Sequence, residues 1–247
     1  AAAVGATFVA LAGDTSVSAD PKQYTDPLFG FGSDTLQDVT NAFAGYSQGV
    51  DFTPLRTDNG KQIVSWDAFP AGAADPTATD CIVTKVGTGQ IKRPNGSTNG
   101  LRALSATVGG GQWPLSGTDC GGPRAMTVIV DFARSSSSPS SNPSGPIQFI
   151  PAFSDALAFA YIKPTGSPVT DLTTAQLTAI HGTGPQIIDG TVVIGCGIQT
   201  GSGTYGTWVG KIALSSGADT GTDLCNNAGG TGRLQENNSP DLTAKSL

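Results

Sequence analysis

Four short polar loops constrain the fold of this chain more than any other feature of its sequence. They read GFGSDT at 30–35, RPNGSTNG at 93–100, ARSSSSP at 133–139 and QTGSGT at 199–204. Gly, Ser, Thr and Asn dominate these loops, which punctuate an alternation of strand-like and helix-like segments. Such an alternation predicts α/β layers around a largely parallel sheet.

Helices are predicted directly after three of the loops. Apolar residues at helical spacing begin at Leu36, Leu101 and Trp208. Ser33 or Thr35 is the expected N-cap of the first of these helices, because a hydroxyl there can accept a hydrogen bond from an unpaired backbone N–H.

A fourth helix is predicted over 172–180, where Thr173 and Gln176 have the spacing of a capping box. His181, the one histidine of the chain, follows at its C-terminal end. A Ser/His/Asp triad would have to use His181, and Ser202 lacks the G-x-S-x-G context of a nucleophile elbow. We expect no catalytic role.

Strands are predicted at Met126–Phe132 and Thr191–Ile194. The apolar stretch from Ile147 to Ile162 also has the composition of a buried strand, with a short loop at Ser154. The Ser- and Pro-rich stretch from 135 to 146 is the best candidate for a domain boundary. It is either a surface loop or the approach to a second lobe.

Charge and cysteine usage narrow the class of protein. The chain has 13 basic and 19 acidic residues and no Lys/Arg cluster, so nucleic acid is a poor candidate partner. Hydrophobic residues make up 38% and charged residues 13%, which excludes a disordered acidic chain. The four cysteines do not have zinc-site spacing, and two disulfides in an oxidising compartment are the expected arrangement.

Residues 1–20 leave two interpretations open. The run AAAVGATFVALAG is apolar but too short to span a bilayer, and SVSA resembles a cleavage site after Ala19. The segment is either the end of a secretory signal or an N-terminal arm of the mature protein.

The four loops together predict a site for a small anion. A helix N-terminus presents unpaired N–H groups and the positive end of the helix dipole, and Ser and Thr add hydroxyl donors. Arg134 would add a two-pronged donor suited to a tetrahedral oxyanion. The chain has no G-x-x-x-x-G-K-[ST] motif, which excludes a Walker nucleotide site.

The ordered set of motifs resembles the phosphate-type substrate-binding proteins of ABC transporters, in the type 2 periplasmic-binding-protein superfamily. The resemblance covers roughly residues 27–236 and is strongest over 154–182, while GSGT at 201–204 matches the anion loop of the family. The 93–97 and 131–136 runs are similar to secreted actinobacterial members. The resemblance implies a two-lobe α/β fold, with residues 21–150 as lobe I and 151–247 as a partial lobe II.

The resemblance also implies a set of ligand-binding residues in the cleft between the lobes. They are Ser33, Asp34, Thr35, Ser97, Thr98, Arg134, Ser135, Ser202, Gly203 and Thr204. The implied ligand is phosphate or sulfate, the implied location is secreted or cell-surface, and a transporter permease is the implied partner. No cofactor, metal or membrane span is expected.

Three departures from the family pattern favour a second interpretation. The third loop has no Asp, Ile198 stands where the family has an Arg, and the chain ends before the segment that returns to lobe I. The alternative is a scaffold of this kind that binds no ligand and is reused as a structural or surface-interaction protein, in an extracellular or virion assembly with a self-assembling partner chain. Within either interpretation we expect the pairs Cys81–Cys120 and Cys196–Cys225, which keep each bridge inside one lobe.

Overall fold

A computed structural model describes residues 20–21, 26–47, 49–69, 80–127, 130–138, 144–198 and 201–214. In these ranges the chain is mixed α/β. The helices are α1 (Gln37–Ala44), α2 (Gly96–Gly109), α3 (Thr174–Thr183) and α4 (Gly203–Lys211), with a 3₁₀ turn at Asp119–Gly121. The strands are β1 (Leu28–Gly32), β2 (Tyr46–Ser47), β3 (Val50–Asp51), β4 (Ile63–Ser65), β5 (Cys81–Ile82), β6 (Ile91–Lys92), β7 (Gln112–Trp113), β8 (Arg124–Ala125), β9 (Phe132–Arg134), β10 (Gln186–Ile188) and β11 (Thr191–Val193).

A parallel three-stranded sheet organises the first half of the chain, in the order β4–β1–β9. The prediction of a largely parallel sheet is correct for this sheet alone. The other strand pairs in the described ranges, β2–β3, β5–β6, β7–β8 and β10–β11, are antiparallel. They connect segments close in the chain, which short turns can join.

Hydrophobic residues gather in two separate clusters. The first surrounds β1 and contains Phe29, Phe31, Val64, Trp66, Ile82, Ile91, Ala103, Ala106, Trp113, Met126 and Val130. The second joins α3, α4 and the β10–β11 hairpin and contains Val169, Leu172, Leu177, Ile180, Ile188, Val193 and Ile212. The clusters lie on either side of the Ser- and Pro-rich stretch, whose role as a domain boundary stays a prediction.

All four predicted helices form. The capping box of α3 is present, with Thr173 Oγ1 accepting from the Gln176 backbone N–H at 3.3 Å. The predicted cap of α1 is wrong, because Leu36 occupies the N-cap position without a side-chain bond. Asp34 organises that turn instead: its Oδ1 accepts from the Thr35 backbone N–H, and its carbonyl from that of Gln37.

The predicted strand at Met126–Phe132 is displaced toward the C-terminus, since β9 spans Phe132–Arg134. Asp131, just before β9, contacts β1 through both its backbone and its side chain. Its N–H donates to Phe29 O and its Oδ2 accepts from the Phe29 backbone N–H, both at 2.9 Å, while residues 128 and 129 lie outside the described residues. Met126 and Val130 still lie in the first hydrophobic cluster.

The prediction of a buried strand at Ile147–Ile162 is wrong. Residues 147–162 have no strand pairing, and every residue from 151 to 160 is exposed. Phe153 stacks on Phe43 of α1, with 5.8 Å between ring centroids, and Tyr161 packs against the second cluster. These contacts hold the segment against the protein without placing it in a sheet.

The Cys81–Cys120 disulfide is confirmed, with 5.5 Å between the Cα atoms. It joins β5 to the 3₁₀ turn beside the first cluster. The Cys196–Cys225 pair stays a prediction, since Cys225 lies outside the described residues. Residues 1–19 also lie outside the described residues, so both interpretations of the N-terminus stay open.

Candidate functional site

Hydroxyl groups from four separate segments meet at one place in the structure. We call them the four-loop cluster: Thr35 before α1, Ser97 in the first turn of α2, Ser136 and Ser137 after β9, and Gly203 and Thr204 at the start of α4. Thr35 Oγ1 lies 3.1 Å from Thr204 Oγ1, which lies 3.3 Å from Ser136 Oγ. Ser136 Oγ in turn lies 3.2 Å from Ser97 Oγ. A chain of hydrogen bonds thus connects residues far apart in sequence.

Gly203 lies in the middle of this cluster. A Cβ at Gly203 would stand 2.6 Å from Ser97 Oγ, 2.7 Å from Ser136 Oγ and 2.9 Å from Ser137 Oγ. Such distances are far below van der Waals contact, so a larger residue would push the hydroxyls apart. The cluster requires glycine here for close approach.

The N-termini of α2 and α4 contact each other beside the cluster. The Thr98 backbone N–H donates to Gly201 O at 3.2 Å. Ser202 is the N-cap of α4, where its hydroxyl accepts from the Tyr205 backbone N–H at 3.2 Å. Two helices therefore direct their positive ends toward the same region.

Arg134 crosses the carboxyl ends of all three parallel strands. It ends β9, and its side chain passes Ser33, which follows β1, to reach the end of β4. Nε donates to Ser33 O at 2.9 Å, and Nη1 donates to Trp66 O at 2.9 Å and to Ser65 Oγ. The carboxyl edge of such a sheet is where α/β proteins bind ligands.

Three buried donors at this edge have no hydrogen-bond partner in the part of the chain that the structure describes. They are Nη2 of Arg134, Oγ of Ser33 and Nε1 of Trp66, whose residues are 4%, 1% and 8% exposed. Burial lowers the pKa of Arg134 to about 10. The negative charges of Asp67, Asp34 and Asp38 act in the opposite direction and raise this pKa. The guanidinium is still a cation at neutral pH, and no carboxylate in the described ranges bonds to it.

The sequence-predicted residues divide into three groups, and Ser135 belongs to none of them. Thr35, Ser97, Gly203 and Thr204 belong to the four-loop cluster. Ser33, Asp34 and Arg134 lie at the adjoining strand edge, with Asp34 buried in the turn before α1. Thr98 and Ser202 hold the helix N-termini by the contacts given above.

Ser135 does not join the cluster, and Ser136 and Ser137 were missed. The Ser135 hydroxyl donates to Ser137 O at 2.5 Å and accepts from the Ser137 backbone N–H, which closes a local turn. Ser136 instead donates its backbone N–H to Ser97 Oγ at 3.0 Å. In a run of four serines, the sequence does not show which hydroxyl will face the cluster.

The protein already uses most of the Arg134 guanidinium. Nε and Nη1 bond to Ser33, Ser65 and Trp66, so Nη2 is the one guanidinium nitrogen without a protein partner among the described residues. His181 is buried in the last turn of α3, with its ring edge against Trp208 of α4 at 5.9 Å between centroids.

Comparisons of the chain with models of protein families, with curated proteins and with solved structures find no match. In the part of the chain that the structure describes, no cluster of three or more His, Cys, Asp or Glu could hold a metal ion. No helix of that part is both long and apolar enough to cross a bilayer.

Proposed function

We propose that the four-loop cluster binds a small tetrahedral oxyanion, phosphate or sulfate, and that the protein is a solute-binding protein rather than an enzyme. The observation that carries the proposal is the convergence of hydroxyls from four separate segments. Thr35, Ser97, Ser136 and Thr204 bond to one another at 3.1–3.3 Å. An anion that entered would accept these hydroxyl protons in place of the neighbouring hydroxyls.

The partnerless donors at the strand edge support the same function. Leaving a buried donor unsatisfied costs about 1–3 kcal/mol, and more for a charged group. Nη2 of Arg134 and Oγ of Ser33 both carry this cost. An anion that accepts from them would remove it, so the site favours a ligand with several acceptor oxygens and a negative charge.

The two hydrophobic clusters support a two-lobe fold of the type 2 periplasmic-binding-protein kind, with the anion between the lobes. Ser97 and Ser136 come from the side of the first cluster, and Gly203 and Thr204 begin the helix that packs in the second. The Cys81–Cys120 disulfide supports a secreted or cell-surface location. In that setting the protein would capture its anion for a membrane transporter.

Glycine substitutions in α4 test the proposal. Gly203→Ala places a methyl group among three hydroxyl oxygens at 2.6–2.9 Å, whereas a Cβ at Gly206, in the same helix, meets nothing within 4 Å. Titration calorimetry with phosphate and with sulfate should show binding by the parent and by Gly206→Ala. We expect Gly203→Ala to bind at least tenfold more weakly.

A parent protein that binds neither anion would overturn the proposal. So would a Gly203→Ala variant that keeps its fold by circular dichroism and binds as tightly as the parent. In the latter case the cluster would be a packing contact between helix ends and not a ligand site.

One observation favours a second candidate, in which the scaffold serves as a self-assembling interaction protein. Apolar side chains of the unpaired segment 147–162 are exposed, including Ile150 at 85% and Leu157 at 41%. Exposed extended chain with apolar side chains tends to pair with other chains. A second copy of this chain, which carries the same segment, is the partner that we propose.

A further inference from the structure

Asp67 is a buried carboxylate that neither the four-loop cluster nor the proposed ligand contacts account for. It follows β4 and is 5% exposed. Asn41 Nδ2 of α1 donates to Asp67 Oδ1 at 2.6 Å. The backbone of Asp67 is held on both sides, since its N–H donates to Asp20 Oδ1 and its carbonyl accepts from Arg93 Nη1 at 2.8 Å.

Asp67 and Arg134 are adjacent without being bonded. Arg134 Nη1 donates to the carbonyl of Trp66, the residue joined by a peptide bond to Asp67. Of the carboxylates near Arg134, Asp67 exerts the largest electrostatic effect on its guanidinium. Both side chains are buried, so water screens their attraction only weakly.

We propose that Asp67 is the counter-charge of Arg134, and that its protonation tightens the binding of an anion at the four-loop cluster. This inference rests on the proposed function and names the group that regulates it. An ionised Asp67 offsets the charge of the Arg134 guanidinium and repels a bound anion. A neutral Asp67 leaves the guanidinium charge to the anion alone.

Other charged side chains also surround Asp67 and Arg134. Arg93 is bonded to Asp20 and Asp80, so its own charge is already compensated. Burial alone would lower the pKa of Arg93, but these two carboxylates raise it above its ordinary value. Asp34 and Asp38 also attract Arg134, with smaller effects than Asp67.

The protonation of Asp67 falls in an accessible pH range. Burial raises its pKa to about 6, with a further rise from Asp20, while the bond from Asn41 and the charges of Arg134 and Arg93 lower it. Anion binding therefore takes up a proton near this pH, so affinity increases as pH falls through about 6 and levels off below it.

Sulfate is the probe of choice, because it stays a dianion from pH 5 to 7.5 while phosphate does not. We expect calorimetry on the parent to show affinity about three- to tenfold higher at pH 5 than at pH 7.5. Asp67→Asn should bind at pH 7.5 as the parent does at pH 5, with no dependence on pH. Asp38→Asn removes the same charge from an exposed site and should keep the parent's profile.

Asn41→Ser gives an independent readout if Asp67→Asn does not fold. It removes the hydrogen bond that lowers the pKa of Asp67, so the midpoint of the affinity profile should move to higher pH. A parent with equal affinity at both pH values overturns the inference. So does an Asp67→Asn variant that keeps the pH profile of the parent. Absence of sulfate binding at either pH would overturn the proposed function itself.

Discussion

At the scale of single residues, Arg134 is the side chain that bonds the ends of the parallel strands to one another. Its guanidinium joins Ser33, Ser65 and Trp66, and so connects the ends of β1 and β4 to β9. These bonds need a planar fork with several donors, which lysine cannot supply. The same group holds the one charge we assign to the anion, so structure and ligand binding share it.

Arg134→Lys should therefore lower both stability and affinity. Two carbonyls lose a buried donor, so we expect the free energy of unfolding in urea to fall by about 1–3 kcal/mol. Sulfate affinity should fall roughly tenfold, because charge-assisted hydrogen bonds are lost or lengthened. Ser202→Ala should reduce affinity less, since the backbone N–H groups of Gly203 and Thr204 remain.

Arg102→Lys, at an exposed position of α2, is the matched control for this substitution and should leave both quantities unchanged. An Arg134→Lys variant that binds sulfate better than Ser202→Ala does would refute the ranking.

At the scale of elements, local signals decide the helices better than the strands. The α3 helix begins where its capping box lies, since all the groups involved are within four residues. Strand β9 begins only at Phe132, and the residue before it, Asp131, bonds through its side chain to Phe29, 102 positions away in the sequence. Asp34 takes the place of the expected hydroxyl cap of α1. It accepts one hydrogen bond with its side chain and one with its carbonyl, and general capping preferences do not predict this pair of bonds.

The capping box of α3 offers a clean test, because Thr173 is exposed and the change alters little else. Thr173→Ala removes the acceptor of the Gln176 N–H and should lower the free energy of unfolding by about 1 kcal/mol. Thr173→Ser keeps the hydroxyl and should stay within a few tenths of the parent. Urea denaturation measures both, and equal stability of the two variants would show that the cap contributes nothing.

At the scale of the whole molecule, the exposed segment 147–162 is the basis of the self-association that we propose. It connects the half of the chain that holds the first hydrophobic cluster to the half that holds the second. Its apolar side chains face solvent along most of its length, in contrast to the buried strand that its composition predicts. Apolar surface of this kind favours association.

We expect the protein to associate with itself as its concentration rises, and sedimentation velocity can measure this. The double variant Ile150→Ser, Leu157→Ser should shift the equilibrium toward the monomer. Val86→Ser, in a turn elsewhere and 57% exposed, is the control and should associate as the parent does. A parent that stays monomeric at high concentration, or a control that dissociates equally, would rule out pairing through this segment.

The sequence by itself determined the features whose causes are local. The four helices, the α3 cap and the positions of the polar loops follow from residues within one or two turns of each other. The Cys81–Cys120 pair was expected from the lobe division that the resemblance implies, and the structure contains it. The α/β class was predictable for the same reason, because it depends on the order of elements and not on their contacts.

The tertiary structure alone decided which side chains meet. Ser136, and not Ser135, lies in the four-loop cluster because it bonds to Ser97. Two of the three Arg134 nitrogens donate to protein carbonyls. The tertiary structure also buried Asp67 beside that guanidinium and left 147–162 outside every sheet. These outcomes depend on where distant segments pass one another, and hydrophobic periodicity and turn chemistry act over too short a range to specify that.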